Sequence, residues 1–441
     1  DKSMYAYLIN MGVRIVEMHR KLKETGSFYL HCDPTASHYL KIMLDAIFGK
    51  EQFRNEIIWC YKSRPQPKQN FAKKHDVIFF YTASAKYKFN WEEVVRPLSE
   101  STIKKYKNID ENARRYRLQG RGINGSPIKS QKDVAQEWEV KNPELVIRDY
   151  LDEKIGVALE DWWTDIDIIN QSSNERLGYP TQKPQSLLER IIKASCPKGG
   201  TILDAYCGCG TTITAAQKLG MKWIGIDITY LAIDLIQQRL IDNFYLEGIS
   251  SPTNSQKKKA KEKFLKDTDI FGIPKDLESA YKLAKETKGD YVRKEFEKWA
   301  VFSVGGVYSE KKGSDGGVDG YFYIYDADKN DKVVKKQCYI QVKSGKVGIK
   351  DIRDFDSTLG SLDSPIGIFI TLEEVTKPML EYIASLKKYT STMGRIYDRI
   401  TIITIEDIIA ENVPDFAVRA TKKANAVENS EVNGDLFLDL D

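Results

Sequence analysis

Apolar positions recur at helical spacing from Met4 to Lys23, with Met11, Ile15, Met18 and Leu22 on one face, and Gly26 ends the pattern. Ser27 to His31 reads as a short strand. Asp33-Pro-Thr-Ala-Ser then opens a helix from His38 to Phe48, in which Leu40, Met43, Leu44 and Ile47 are periodic. Asn55 to Cys60 and Asp76 to Tyr81 are the next strands. Leu187, Leu188, Ile191 and Ile192 form the apolar face of a helix from Gln185 to Cys196. Thr201 to Leu203 reads as a buried strand ending at Asp204, and a glycine-rich turn leads into a helix carrying Ala215, Ala216 and Leu219. Trp223 to Ile226 repeats the strand and ends at Asp227, before a helix that reaches Leu246. This alternation predicts an α/β chain with a parallel, helix-covered sheet.

Other stretches break the pattern. From Tyr61 the chain becomes basic and aromatic, with Lys62, Arg64, Lys68, Lys73, Lys74 and His75 among Tyr61, Phe71, Pro65 and Pro67. Tyr87, Trp91, Lys104, Lys105, Arg114, Arg115, Tyr116, Arg117 and Arg121 continue it. Residues 61–160 thus read as a polar insertion. Its surface suits phosphate contacts and base stacking, or is an ordinary solvated face with snorkelling side chains. Ser250 to Thr268 is polar and centred on Lys257-Lys-Lys259, so residues 250–275 read as a hinge or linker.

A second unit occupies residues 276–412. It has an amphipathic helix from Tyr291 to Val304 and strands Tyr321 to Tyr325 and Gln337 to Lys343, with a hairpin-like loop at Asp328 to Asp331. A helix from Ile349 to Leu359, a strand Ile366 to Ile370, a helix Thr376 to Leu386 and a strand Ile400 to Ile405 follow. Residues 413–441 are acidic and poor in apolar groups, and read as a disordered tail.

Composition narrows the class. The 441 residues are 41% hydrophobic, enough for two or three domains. No apolar run is long enough to cross a membrane and no signal peptide is evident, so a cytoplasmic protein with no membrane partner is expected. The net charge of +4 neither demands nor excludes nucleic acid. The six cysteines show no zinc spacing, and Cys207-x-Cys209 is too close for an ordinary pair, which suits a reduced intracellular protein. The chain starts at Asp1, directly on a helical pattern, so a segment upstream is expected.

The strand, glycine turn and helix around Asp204 to Thr212 make a cradle for a nucleotide-type ligand, because glycines admit close approach and first-turn N–H groups are available. Asp227 is placed for ribose hydroxyls, with a helix N-cap as the plainer role. A dinucleotide cradle wants a third glycine three residues after Gly210, where Ile213 stands. Thr181-Gln-Lys183-Pro184, then Asp204-Ala-Tyr206-Cys-Gly208-Cys-Gly210-Thr211-Thr, then Asp227 together resemble the amino-directed DNA methyltransferases of the β class. Ala205 and Cys209 stand where that family has Pro and Ser. The similarity spans roughly the first 250 residues.

The resemblance implies a Rossmann-like methyltransferase in parts 1–60 and 161–249, with the insertion as its target-recognition region. It implies S-adenosylmethionine as cofactor, bound by Thr181, Lys183, Pro184, Asp204, Tyr206, Gly208, Gly210, Thr211 and Asp227. Asp204 and the glycine backbone would face the methionine part, Asp227 the ribose, and Thr181 and Lys183 the opposite wall. The partner would be double-stranded DNA, and the target an exocyclic amino group, by default adenine. In that family a D-P-P-Y tetrad holds the base. No such run occurs here, and the lookalike Asp33-Pro34-Thr35 reads as a helix cap. These residues are therefore expected to bind the donor weakly or not at all and not to methylate DNA.

Asp319 followed by Gln341-x-Lys343 has the spacing of a metal-dependent nuclease site. A carboxylate and a second oxygen ligand would hold Mg2+ at the scissile phosphate while a lysine stabilises charge or positions water. Strand alternation puts residues 341 and 343 on one face. Asp315 is an alternative to Asp319, and each residue taken alone suits a turn or an edge strand. The set, with Gly313-Ser-Asp-Gly-Gly-Val-Asp319-Gly320 and Phe296-Glu297, resembles Mrr-type restriction endonucleases, in which Gln replaces the usual acid. That implies a second α/β domain of the PD-(D/E)xK kind, with Asp319, Gln341, Lys343 and Glu297 catalytic and Asp319 and Gln341 on the metal. The leading expectation is an amino-methyltransferase fused to an Mrr-like endonuclease domain. Alternatives are a DNA-binding protein with one or both sites inactive, or an RNA or small-molecule methyltransferase. A homodimer is left open.

Overall fold

A computed structural model describes residues 2–62, 68–121, 136–170, 173, 175–177, 179, 181–274, 276–285, 290–309, 317–327, 333–392, 394–410 and 412–414. Contacts divide the chain into two units, Asp1–Glu175 with Lys183–Cys207 and Thr211–Ile226, and Arg176–Gln182 with Gly208–Gly210 and Asp227–Asp441. Arg64, Pro65, Pro67, Asp315, the loop at Asp328 to Asp331 and almost all of the expected acidic tail lie outside the described residues.

The first unit contains α1 (Lys2–Lys21), β1 (Ser27–Cys32), α2 (Pro34–Phe48), β2 (Phe53–Cys60), β3 (His75–Thr82), α3 (Glu100–Ile103), β4 (Asn108–Ile109) and β5 (Arg115–Gly120). It continues with α4 (Gln136–Lys141), β6 (Val146–Tyr150), β7 (Trp162–Trp163), α5 (Gln185–Ser195), β8 (Thr201–Asp204), α6 (Thr211–Lys218) and β9 (Lys222–Gly225). The principal sheet has the order β1-β3-β2-β7. β3 is antiparallel to both β1 and β2, and only β2 and β7 are parallel. The expectation of a parallel sheet is corrected here. A parallel return needs a long crossover, usually helical, and no helix occurs among the described residues between β2 and β3, so the chain turns straight back.

Helices cover both faces of this sheet. Val77, Phe79 and Tyr81 pack with Met11, Ile15, Leu40 and Leu44 of α1 and α2. The alternate residues Ile78 and Phe80 pack with Trp59, Trp163 and Leu187 of α5. Each such large side chain contributes roughly 1.5–3 kcal/mol by leaving water. Asp33 caps α2, accepting from the Thr35 and Ala36 amides at 2.9 and 3.0 Å, as its sequence position suggested. β8 and β9 form a separate parallel pair against α6. Strands β4, β5 and β6 form a small antiparallel sheet in the inserted region.

The second unit contains α7 (Tyr230–Leu240), α8 (Asn254–Asp267), α9 (Leu277–Lys285), α10 (Asp290–Ser303), β10 (Val307–Tyr308), β11 (Gly320–Ala327), β12 (Val333–Lys343), α11 (Ile349–Ser361) and β13 (Gly367–Thr371). It ends with α12 (Lys377–Ser385), β14 (Tyr389–Thr390), β15 (Ile396–Tyr397), β16 (Ile400–Thr404) and α13 (Ile405–Ile409). The stretch read as a hinge holds α8, started by a capping box between Thr253 and Gln256 and packed through Ala260 and Phe264. The five-stranded sheet has the order β10-β11-β12-β13-β16, with β12, β13 and β16 parallel and the rest antiparallel. Ile368 and Ile370 of β13 face α9, α10 and α13, while Phe369 faces α11 and α12.

Candidate functional site

In the first unit, β8 delivers Asp204 at its carboxyl end, where one carboxylate oxygen accepts from the Tyr206 amide at 3.0 Å. Tyr206 is half-exposed, and Thr211 is buried at the start of α6. Pro184 sits at the N-cap of α5 with an extended backbone. Just before it, Lys183 does not point idly into solvent: its Nζ lies 3.2 Å from Asp76 Oδ2. The same oxygen lies 2.8 Å from His31 Nε2, and Tyr61 donates to the other carboxylate oxygen at 2.9 Å.

This cluster has marked electrostatics. Burial pushes His31 below its ordinary range, against the raising effect of its Asp76 bond. Burial would raise Asp76, but the His31 bond, the Lys183 charge and the Tyr61 bond outweigh it and bring the carboxyl down to about 2. Tyr61 is pushed up to about 12 by burial and by its bond to Asp76. Sequence reasoning missed His31, Tyr61 and Asp76 as a group. One signal was available: Asp76 is a charged residue at the head of the otherwise apolar run Val77 to Tyr81.

In the second unit, Thr181 is exposed in a turn where the Gln182 amide donates to the Tyr179 carbonyl at 3.2 Å. Gly208 and Gly210 both take positive φ, 48° and 74°. A Cβ on Gly210 would lie 2.5 Å from Ile236 Cγ1, so this glycine is needed for α7 to pack. Asp227 accepts from the Gly208 amide at 3.0 Å through one oxygen. Its other oxygen accepts from the Thr229 amide and hydroxyl at 2.9 and 2.7 Å. The cap of α7 is Thr229, not Asp227, because the Thr229 hydroxyl receives the Ala232 amide at 3.2 Å. Asp227 thus ties a glycine turn to a helix entrance, and its carboxylate oxygens are acceptors of the kind a vicinal diol would donate to.

The other constellation also lies in the second unit. Asp319 precedes β11 and accepts from the Val342 amide at 2.7 Å. Gln341 of β12 donates through Nε2 to the Gly317 carbonyl at 2.6 Å. Its Oε1 is buried with no hydrogen-bond partner. An orphaned buried carbonyl is a group that a hard cation would satisfy. Lys343 follows on the same strand, partly exposed, and Glu297 is half-buried on α10. Among the described residues no group of three or more His, Cys, Asp or Glu side chains is placed to hold a metal ion.

The family model for N6- and N4-directed DNA methylases matches residues 1–238, more than half of the chain. The chain belongs to this DNA methylase family. A restriction endonuclease family model matches residues 302–411. Among curated proteins, Type II methyltransferase M.EcaI of Enterobacter cloacae is 29% identical over 261 residues, 53% of this chain and 57% of that protein. Type II methyltransferase M.BglII of Bacillus subtilis is 24% identical over 51% of this chain and 54% of its own length. DNA adenine methyltransferase YhdJ of Escherichia coli (strain K12) is 25% identical over 51% of this chain and 64% of its own. The matched stretches thus span 54% to 64% of these relatives' lengths.

The polar stretch between β3 and α5 is less openly basic than its composition suggests. Arg114 is bidentate to Asp152 at 2.8 and 2.9 Å and also bonds Glu153. Arg117 pairs with the buried Asp149 at 2.9 Å, and Arg148 pairs with Glu139. Arg115 donates to the carbonyls of Tyr106 and Ile103, and Tyr116 is buried. The cations left facing solvent include Lys104, Lys105 and Lys107.

Proposed function

We propose that residues 1–249 are the donor half of an amino-directed DNA methyltransferase, joined to a metal-dependent endonuclease-like domain. The carrying observation is Asp227, which follows β9 at the family's position and joins Gly208 of the glycine turn to the entrance of α7. S-adenosylmethionine supplies an electrophilic methyl group. By the family's motif, Asp204, Tyr206, Gly208, Gly210 and Thr211 bind its methionine part, Asp227 its ribose, and Thr181, Lys183 and Pro184 the facing wall. The acceptor is an exocyclic amino group of duplex DNA, adenine by default, and phosphate contacts fall to lysines such as Lys104 and Lys105. No two prolines are adjacent anywhere in the sequence, so the base-holding D-P-P-Y is not among these residues. The chain accordingly binds the donor weakly and does not methylate DNA by itself.

Equilibrium dialysis with labelled S-adenosylmethionine tests this reading. Weak binding lost in Asp227→Ala supports it. Undiminished binding by that variant, or efficient methyl transfer to DNA by the unaltered chain, overturns it.

In the second domain Asp319 and Gln341 would hold Mg2+, which would supply Lewis-acid stabilisation at a phosphate. Lys343 steadies developing charge, and Glu297 is an accessory acid. Mg2+-dependent nicking of plasmid should fall at least about 100-fold in Lys343→Ala. Equal nicking by both proteins removes Lys343 from the chemistry. A DNA-binding module that does not cut is the second reading. It is favoured by the lack of a three-acid group among the described residues, and absence of nicking with salt-dependent duplex binding would support it.

A further inference from the structure

Four polar side chains meet at one end of the first unit's four-stranded sheet, and three of them lie outside both the TQKP run and the glycine turn. Asp76 is the hub, with His31 and Lys183 at one oxygen and Tyr61 at the other. The topology explains the meeting. Because β3 is antiparallel to both neighbours, its first residues lie beside the carboxyl ends of β1 and β2, and Asp76 pairs directly with Trp59. Ligands of open α/β sheets bind outside the carboxyl ends of such strands.

A lysine ammonium sits on a flexible four-carbon stem and stays mobile unless something fixes it. Here Asp76 fixes Lys183 from the sheet side, and the Trp59 ring, 5.8 Å from Nζ, forms a second wall. The Lys183 side chain remains 37% exposed, and its ammonium has three donors. Asp76 is itself aimed by His31 and Tyr61, so the arrangement fixes the cation at the carboxyl ends of β1 and β2.

We propose that Asp76, clamped by His31 and Tyr61, is a positioning residue that holds Lys183 ready for the carboxylate of the methyl donor. This rests on the donor reading given above. The carboxylate is the donor's one anionic group, and an ammonium is its natural partner. Asp76 touches neither donor nor DNA and acts through Lys183.

Two probes separate this role from a structural one. S-adenosylhomocysteine carries the carboxylate, whereas 5′-methylthioadenosine lacks the amino-acid end. Titrations of the full chain, taken to millimolar ligand, should show Asp76→Asn weakening S-adenosylhomocysteine about 10-fold, the loss of one charge-assisted contact. Binding of 5′-methylthioadenosine should be unchanged. Adding Asp76→Asn to Lys183→Ala should weaken S-adenosylhomocysteine no further, because both changes remove one interaction. Equal losses for the two probes, no loss, or additive losses in the double variant overturn the proposal. If Asp76→Asn fails to fold, Tyr61→Phe takes its place, with a smaller loss of the same selectivity required. If the unaltered chain binds neither probe, the donor reading itself fails and the proposal falls with it. If it binds both and the variants match it, the proposal alone fails.

Discussion

Asp76 and Asp326 are each bound by a lysine and a tyrosine, yet their surroundings differ. Asp326 of β11 is 1% exposed and accepts from the Thr392 and Ala327 amides at 2.8 and 2.9 Å, from the Thr392 and Tyr389 hydroxyls, and from Lys336 at 3.1 Å. Asp76 is 13% exposed, and the partners described above are all side chains. Lys336 is committed twice, since its Nζ also lies 2.7 Å from the Tyr389 hydroxyl. Backbone donors cannot move without moving the fold, whereas side-chain donors can exchange partners. The Asp326 cluster therefore acts as a clasp between β11 and the segment at 389–392, and the Asp76 cluster as an adjustable support.

The sharpest way to break this comparison is Asp326→Ala. Removing the acceptor leaves the Thr392, Ala327 and Tyr389 donors without their partner, while Lys336, 39% exposed, can turn to water, so unfolding in urea should show a loss of about 1–3 kcal/mol. A loss under about 1 kcal/mol would place Asp326 in the same class as Asp76. Acid unfolding is the next lever. Burial would raise Asp326, but bonds from Thr392, Tyr389 and the backbone hold it well below the usual carboxylate range. Asp76 is depressed to about 2. A depressed folded pKa contributes stability that is present above the unfolded value, about 4, and lost as pH falls toward the folded value. Thermal melting between pH 5 and about 2.5 should therefore steepen. Asp326→Asn should flatten that slope more than Asp76→Asn, and the reverse order would invert the comparison. The smallest effect belongs to Tyr61→Phe, about 0.5–1.5 kcal/mol for one hydrogen bond, read by the same urea titration.

Much of the architecture was legible in local pattern. The periodicity of Met11 and Ile15, the strand at Thr201 to Leu203 and the cap at Asp33 depend on neighbours a few residues away, and all three form; but the strand is not the buried one its apolar run suggested, since Leu203 is 40% exposed. The direction of β3 was not legible, because an apolar strand reads the same either way and only the short return from β2 decides it. Nor was α8: its lysines suggested a solvated linker, while Ala260 and Phe264 supply just enough apolar face to dock a helix. The glycine turn and Asp227 stood out in the sequence, and the bond from the Gly208 amide to Asp227 joins them. The Asp76 cluster was not, since His31 is 45 residues from Asp76 and Lys183 is 107, distances that only a folded sheet closes. In the insertion, counting arginines overstated the outward charge, because Asp149, Asp152 and Glu153 return to neutralise them from later in the chain.

The unpartnered Oε1 of Gln341 has one further consequence. An acid at this strand position would compete with protons for a cation, so its grip would fade as the medium turned acidic. An amide has no proton to exchange in that range and lends its dipole at constant strength. Under the metal reading proposed above, one negative charge fewer than an acid would bring also lessens the repulsion that an incoming phosphodiester would have to overcome.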